Sequence, residues 1–291
     1  MQQFEKTMTD KHGRRNAFPF SRGIAWLVQS MALLRLQAGR LILIAVFMQL
    51  LLGLTQIPIV GILIILSVPA LSAGVLQAFE VTARGGIPTL NLLFRPLTSG
   101  THSGRLFLMG ALIFAVGVIS ISMVLSGNEA LLDPDLMSRI EQGDIDAISQ
   151  LDQQAIGKMI MAFLVGISIS GTLSYFTIPL IWFGDRKLGP ALVEGLRAMV
   201  RHWKPFVMLA LGLFVVLIPV VLISGALFGL ASGSGVLSMI ILAFIMILIL
   251  AFQMVLFGTQ YCAYRDIFGT GAAEEEPGEP GEPGDDSQLL A

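Results

Sequence analysis

The chain has 291 residues, of which 55% are hydrophobic and only 13% charged, with a mean hydropathy of +0.80. Ordinary soluble domains carry about 25% charged residues, so this composition excludes a soluble globular fold. The formal net charge of −2 says little by itself, because a bilayer sorts charge by side and the sum conceals the asymmetry.

Residues 1–20 read as a flexible basic arm. Residues 1–22 are polar and of mixed charge with no short apolar core, so no cleavable signal peptide is expected and the first span would direct its own insertion. Over 21–40, Ile24, Leu27, Val28, Met31 and Leu34 recur at helical spacing among Arg22, Gln29 and Arg35. That pattern predicts an amphipathic helix lying along the membrane interface, with Trp26 at headgroup level.

Four runs then lack any Asp, Glu, Lys or Arg: 41–79, 106–128, 159–184 and 205–264. A helix rises about 1.5 Å per residue and the hydrocarbon core is about 30 Å thick, so roughly 20 apolar residues cross once. The first and last runs are therefore two crossings each, broken at Gln56-Ile57-Pro58 and at GLASGSG (229–235), and the total is six. Helix one is predicted over 41–56 and helix two over 59–80, with a kink at Pro69 relieved by a hydroxyl such as that of Ser67. Arg84-Gly85-Gly86-Ile87-Pro88 ends helix two, a short interfacial turn is expected around 90–94, and helix three covers 106–126.

The loop at 128–155 is acidic, and Asp133-Pro134 and Gly143-Asp144 predict two short helices within it. Helix four, over 156–184, is the most polar span. On it Ala162, Gly166, Ser170 and Ser174 recur every four residues, as Ala70, Gly74 and Ala78 do on helix two. Small residues at that spacing let helices approach closely; the same face could instead line a path. A second amphipathic stretch, ALVEGLRAMVRHWKPF (191–206), precedes helix five and puts Arg197, Arg201 and Lys204 beside Trp203. Such a cluster suits anionic headgroups, at about 1 kcal/mol per basic residue near a charged surface, or serves ordinary anchoring. The segment 270–291, with its EEEPGEPGEPGDD run, cannot bury a core and is expected to be a disordered acidic tail.

With the N-terminus in the cytoplasm, sixteen of the eighteen basic residues fall on the cytoplasmic side and only Arg139 and Lys158 on the other. The positive-inside rule then places both termini in the cytoplasm. A weak internal repeat relates Leu27-Val28-Gln29-Ser30-Met31 to Leu192-Val193-Glu194-Gly195-Leu196, each ahead of a charge-free hairpin. Gln77 through Arg84 likewise matches Gln260 through Arg265, and the repeat is parallel, because both units enter from the same side.

Chemistry is sparse. The single Cys262 excludes an internal disulfide, and His12, His102 and His202 lie in separate segments without ligand partners at metal spacing. No nucleophile elbow, phosphate loop or HExxH occurs. No ionisable group falls mid-span, which argues against proton coupling. No catalytic, cofactor or metal residue is assigned, and an enzyme is not expected.

The leading amphipathic helix, the hairpin with its Ile-Pro turn, and PLIWFG (179–184) followed by residues 191–206 resemble a family of six-pass bacterial inner-membrane proteins of unknown function. More distantly, they resemble the membrane domain attached to some glycerophosphodiester phosphodiesterases. The resemblance covers roughly 22–269 and implies a six-pass fold in the inner membrane, with no functional residues to carry over; no phosphodiesterase catalytic domain is present.

The expectation is thus an all-α polytopic membrane helical bundle, spanning 21–269, with amphipathic interfacial helices before helices one and five. Its expected role is non-catalytic, as a membrane-organising protein or accessory subunit. Its expected partners are membrane lipids and either another membrane protein or further copies of itself, with no nucleic acid and no cofactor. Arg197, Arg201 and Lys204 are the candidate headgroup contacts, and Gly166, Ser170 and Ser174 the candidate packing or path-lining positions. The alternative is a carrier or channel for a neutral or lipid-like solute.

Overall fold

A computed structural model of the chain describes residues 18–125, 138–139, 153–230 and 235–269. Most of the basic arm, the two short helices expected in the acidic loop, the centre of the GLASGSG turn and the acidic tail lie outside the described residues. Among the described residues there are nine α-helices and no strand. In chain order they are α1 (Ser21–Leu36), α2 (Ala38–Gly53), α3 (Pro58–Ala83), α4 (Asn91–Thr98), α5 (Thr101–Leu125), α6 (Gln153–Trp182), α7 (Leu188–Arg201), α8 (Trp203–Leu230) and α9 (Val236–Phe268). Six of them, α2, α3, α5, α6, α8 and α9, are long and apolar enough to cross a bilayer, which makes this a multi-pass helical membrane protein.

The helix ends follow local chemistry. The break between α1 and α2 falls at Gln37, whose φ of −137° leaves the helical region, so Arg40 belongs to the first span instead of the helix before it. A 3-10 turn, Leu54–Gln56, and an extended Ile57 connect α2 to α3, which opens with Pro58 in its first turn, where a missing N–H costs nothing. α3 closes with Gly85 at φ +76°. There the Gly86 N–H donates to Val81 O (2.8 Å) and the Gly85 N–H to Thr82 O (3.0 Å), satisfying carbonyls that the helix end would leave bare. Ser67 does not answer the carbonyl freed by Pro69; its hydroxyl donates to Leu63 O (2.6 Å), within the turn before. The stretch expected as a turn around 90–94 is the full helix α4, and α6 begins three residues earlier than expected, at Gln153.

α3 is the central span. Half of its most apolar window is buried inside the protein, against 11% for α8 and 17% for α5 and α9. Its small face explains why: Ala70 and Ala78 are fully buried, and Gly74 meets the backbone of Leu92 and Leu93 in α4 so closely that an added Cβ would sit 2.6–2.7 Å from it. α5 packs on the next stretch of α3, where Gly110 rests on the Leu66 carbonyl.

α1 departs from its expected orientation. It is wedged between α8 and α9, and its buried residues are Gly23, Trp26, Leu27 and Ser30. Trp26 is completely buried against the bundle, while Val28 of the expected apolar stripe is 55% exposed. Small residues decide the choice of face. Gly23 lies against Pro205 O and Leu209 N of α8, and Gly258 of α9 lies against the Ser30 hydroxyl, which donates to Val255 O (2.8 Å). Dispersion favours the face that brings backbones closest, even where that face is less apolar.

The large buried side chains gather towards one end of the bundle. They include Trp26, Leu76, Phe79, Leu93, Phe176, Ile181, Leu250 and Met254. At the other end, long stretches of α6, α8 and α9 leave residues such as Phe163, Leu222, Phe228 and Met239 exposed on the isolated chain. In water such a surface would be untenable; in hydrocarbon it is solvated.

Candidate functional site

Four carboxylates occur among the described residues: Glu80, Asp185, Glu194 and Asp266. Each is paired with arginine, and all four pairs belong to the end of the bundle where α3, α6 and α9 finish. Each pair ties one helix end to another part of the chain or caps its own helix.

Asp266, in the last turn of α9, takes both arms of the Arg22 guanidinium (2.5 and 2.6 Å) and also accepts from the Trp26 indole N–H (2.8 Å). The hydrogen bond and charge of Asp266 raise the Arg22 pKa against the opposing effect of burial, which fixes α1 to α9 through a permanent cation. Nearby, the backbone N–H of Phe18 donates to His202 Nδ1 (3.3 Å), which requires that nitrogen to be unprotonated. Burial, and then the charge of Arg201, hold the His202 pKa below its ordinary value, with Asp266 opposing.

Asp185 lies in the connection from α6 to α7 and has φ +48°, the one non-glycine residue in the left-handed region among the described residues. Aspartate adopts that conformation more readily than most side chains. It is held there by Arg105, whose Nη1 donates to the Asp185 carboxylate (2.7 Å), to its carbonyl (3.0 Å) and to the carbonyl of Arg186 (3.3 Å). His102 Nε2 is 3.2 Å from the same carboxylate. The hydrogen bond and charge of Arg105 keep the Asp185 pKa below the usual carboxylate range.

The clamped turn delivers Arg186 to a charged pocket of about 320 Å3. Glu80 and Arg84 come from the end of α3, Glu194 from α7, Tyr264 from α9, and Phe183 from the end of α6. Arg84 pairs with Glu80 at 2.6 Å, and Arg186 with Glu194 more loosely at 3.4 Å. In the sequence Arg84 and Arg186 read as topology-setting charge, Glu80 as a helix end, Glu194 as part of the internal repeat and Phe183 as part of PLIWFG, with nothing to bring them together. The signal that singles them out is the scarcity of acid between the basic arm and the acidic tail on the basic side, where only Glu80, Asp185, Glu194 and Asp266 occur and each needs a partner.

The basic amphipathic stretch is α7 together with the first residues of α8. α7 buries Ala191, Gly195 and Ala198, with Gly195 set against Phe176 and Thr177 of α6. The opposite face is turned outward. Val193 (57% exposed), Val200 (75%) and Trp203 (53%) stand out from the protein, and Arg197, Arg201 and Lys204 are exposed beside them. Lys204 Nζ lies 5.9 Å from the Phe20 ring centroid, and Phe20 meets Trp203 edge-on at the same separation.

Gly166 and Ser170 line a cavity of about 520 Å3 between α3, α5 and α6, whose walls are otherwise apolar apart from Ser120; Ile65, Phe114 and Ile167 are typical of them. Gly166 faces the Ser120 hydroxyl across the α5–α6 contact. Ser174 is not part of that lining; its hydroxyl donates to Gly171 O (3.2 Å).

No family model, curated protein or solved structure matches the chain.

Proposed function

We propose that this is a non-catalytic, lipid-contacting protein of the bacterial inner membrane, with both termini cytoplasmic, acting as a membrane organiser or as the accessory subunit of a larger assembly. The observation that carries the reading is the outward face of α7 and the start of α8, where bare Val193, Val200 and Trp203 alternate with Arg197, Arg201 and Lys204. Apolar side chains exposed beside cations fit the boundary between acyl chains and anionic headgroups, where each basic residue adds about 1 kcal/mol of attraction. The sixteen-to-two division of basic residues supports the orientation.

The test is native mass spectrometry of the full chain released from mild detergent, comparing wild type with the Arg197→Gln, Arg201→Gln, Lys204→Gln triple variant. Retained anionic phospholipid should fall several-fold in the variant. Equal retention in a correctly inserted variant counts against the proposal.

One observation favours the carrier reading for a neutral or lipid-like solute: the cavity of about 520 Å3 between α3, α5 and α6. Cysteine scanning over residues 168–177 in a Cys262→Ala background distinguishes the two. Periodic labelling by an impermeant thiol reagent deep in α6 supports passage, and uniform protection supports packing.

A further inference from the structure

We propose that the charged pocket at the ends of α3, α6 and α9 binds a phosphoethanolamine group, its primary ammonium inward and its phosphate at the rim. The pocket is electrically polarised. Both carboxylates, Glu80 at 16% and Glu194 at 39%, are less exposed than the guanidiniums, Arg84 at 72% and Arg186 at 56%, so negative charge lies deeper than positive. Three helices terminate around it, at Ala83, Trp182 and Phe268, and helix C-termini carry partial negative charge. Aromatic rings add a third cation-favouring element: Phe183 lies 5.6 Å from Tyr264, which stacks on Phe268 at 5.4 Å.

Two carboxylates and two guanidiniums line the same space, so a ligand of one sign would meet as much repulsion as attraction. A zwitterion of the right polarity can set each of its charges nearest the opposite one. The ammonium supplies three N–H donors to Glu80 and Glu194, and Arg84 and Arg186 offer planar donor pairs suited to phosphate. Arg186 is the residue freest to turn towards a ligand, because its contact with Glu194 is the longer of the pocket's two pairs, at 3.4 Å. The clamp of Arg105 on Asp185 keeps the backbone beneath it fixed. This site is separate from the α7 face and does not depend on the role proposed for it.

The group could arrive on a phospholipid or as a free solute, and calorimetric titration of the full chain in detergent separates these. The probes are dihexanoyl phosphatidylethanolamine, dihexanoyl phosphatidylcholine, the N-acetylated ethanolamine lipid, and soluble phosphoethanolamine. The ethanolamine lipid should bind at least about tenfold more tightly than the choline and N-acetyl lipids, which lack the primary ammonium. If soluble phosphoethanolamine binds comparably, the natural source is a solute; if only the lipid form binds, the source is the bilayer. Glu80→Gln should abolish the preference, with helix content unchanged by circular dichroism, while the triple α7 variant should keep it. Equal affinity of the wild-type chain for all three lipids overturns the proposal whether or not the Glu80 variant folds.

Discussion

Asp266 holds two side chains of α1 from one position near the end of α9. Replacing it by Asn keeps the size but removes the charge that Arg22 pairs with and one acceptor shared with the Trp26 indole. Because the Arg22 side chain is 39% exposed, solvent takes up part of the loss, and Asp266→Asn should cost about 1–2 kcal/mol in thermal unfolding in detergent. An unchanged midpoint contradicts this role. His202 makes a prediction about pH. Its folded-state pKa lies below the ordinary 6.5, so between the two values the unfolded chain binds more protons than the folded one. Its contribution to stability is therefore fully present above pH 6.5 and lost as pH falls through the folded value. The His202 imidazole, followed by NMR, should titrate below 6.5, and His202→Gln should flatten the loss of stability on acidification; a midpoint at or above 6.5 contradicts the burial. Neither residue's role was legible in the sequence, since Asp266 and Arg22 sit at opposite ends of the described chain and only folding brings them together.

At the scale of helices, the spans were legible because charge-free runs of sufficient length have few alternatives, and the Pro58 and Gly85 boundaries because those residues have restricted or permissive backbones. What stayed hidden was which face turns inward. Periodicity pointed α1's apolar stripe at Ile24 and Val28, but contact with α8 and α9 selects Gly23, Trp26 and Ser30, through close backbone approach that hydropathy does not register. Gly74 offers the cleanest test of that principle. In Gly74→Ala the new Cβ would press on the backbone of Leu92 and Leu93, so α4 must shift, at about 1–3 kcal/mol in thermal unfolding. Gly117→Ala is the control, because nothing lies within 4 Å of a Cβ there, and it should be neutral or mildly stabilising. Equal effects of the two would show that the α3–α4 contact is not tight.

Across the whole molecule, paired charges and most of the large buried side chains gather at one end, while the α8–α9 hairpin leaves most of its apolar surface uncovered. The charge asymmetry was legible in the sequence; the pocket among Glu80, Arg84, Arg186 and Glu194 was not, because it needs four segments to meet. The orientation makes its own prediction: a fluorescent protein fused after Ala291 should fluoresce in cells, and a phosphatase active only outside the cytoplasm should be inactive at the same position. The reverse pattern would invert the topology. The central claim, that the α7 face sits among anionic headgroups, is tested most directly by quenching of Trp203. Trp26 is fully buried and beyond the reach of lipid, so a Trp182→Phe protein reports Trp203 against a constant background. In vesicles of fixed composition, brominated anionic lipid should quench that fluorescence more than brominated phosphatidylcholine at the same mole fraction. Equal quenching by the two would contradict the account.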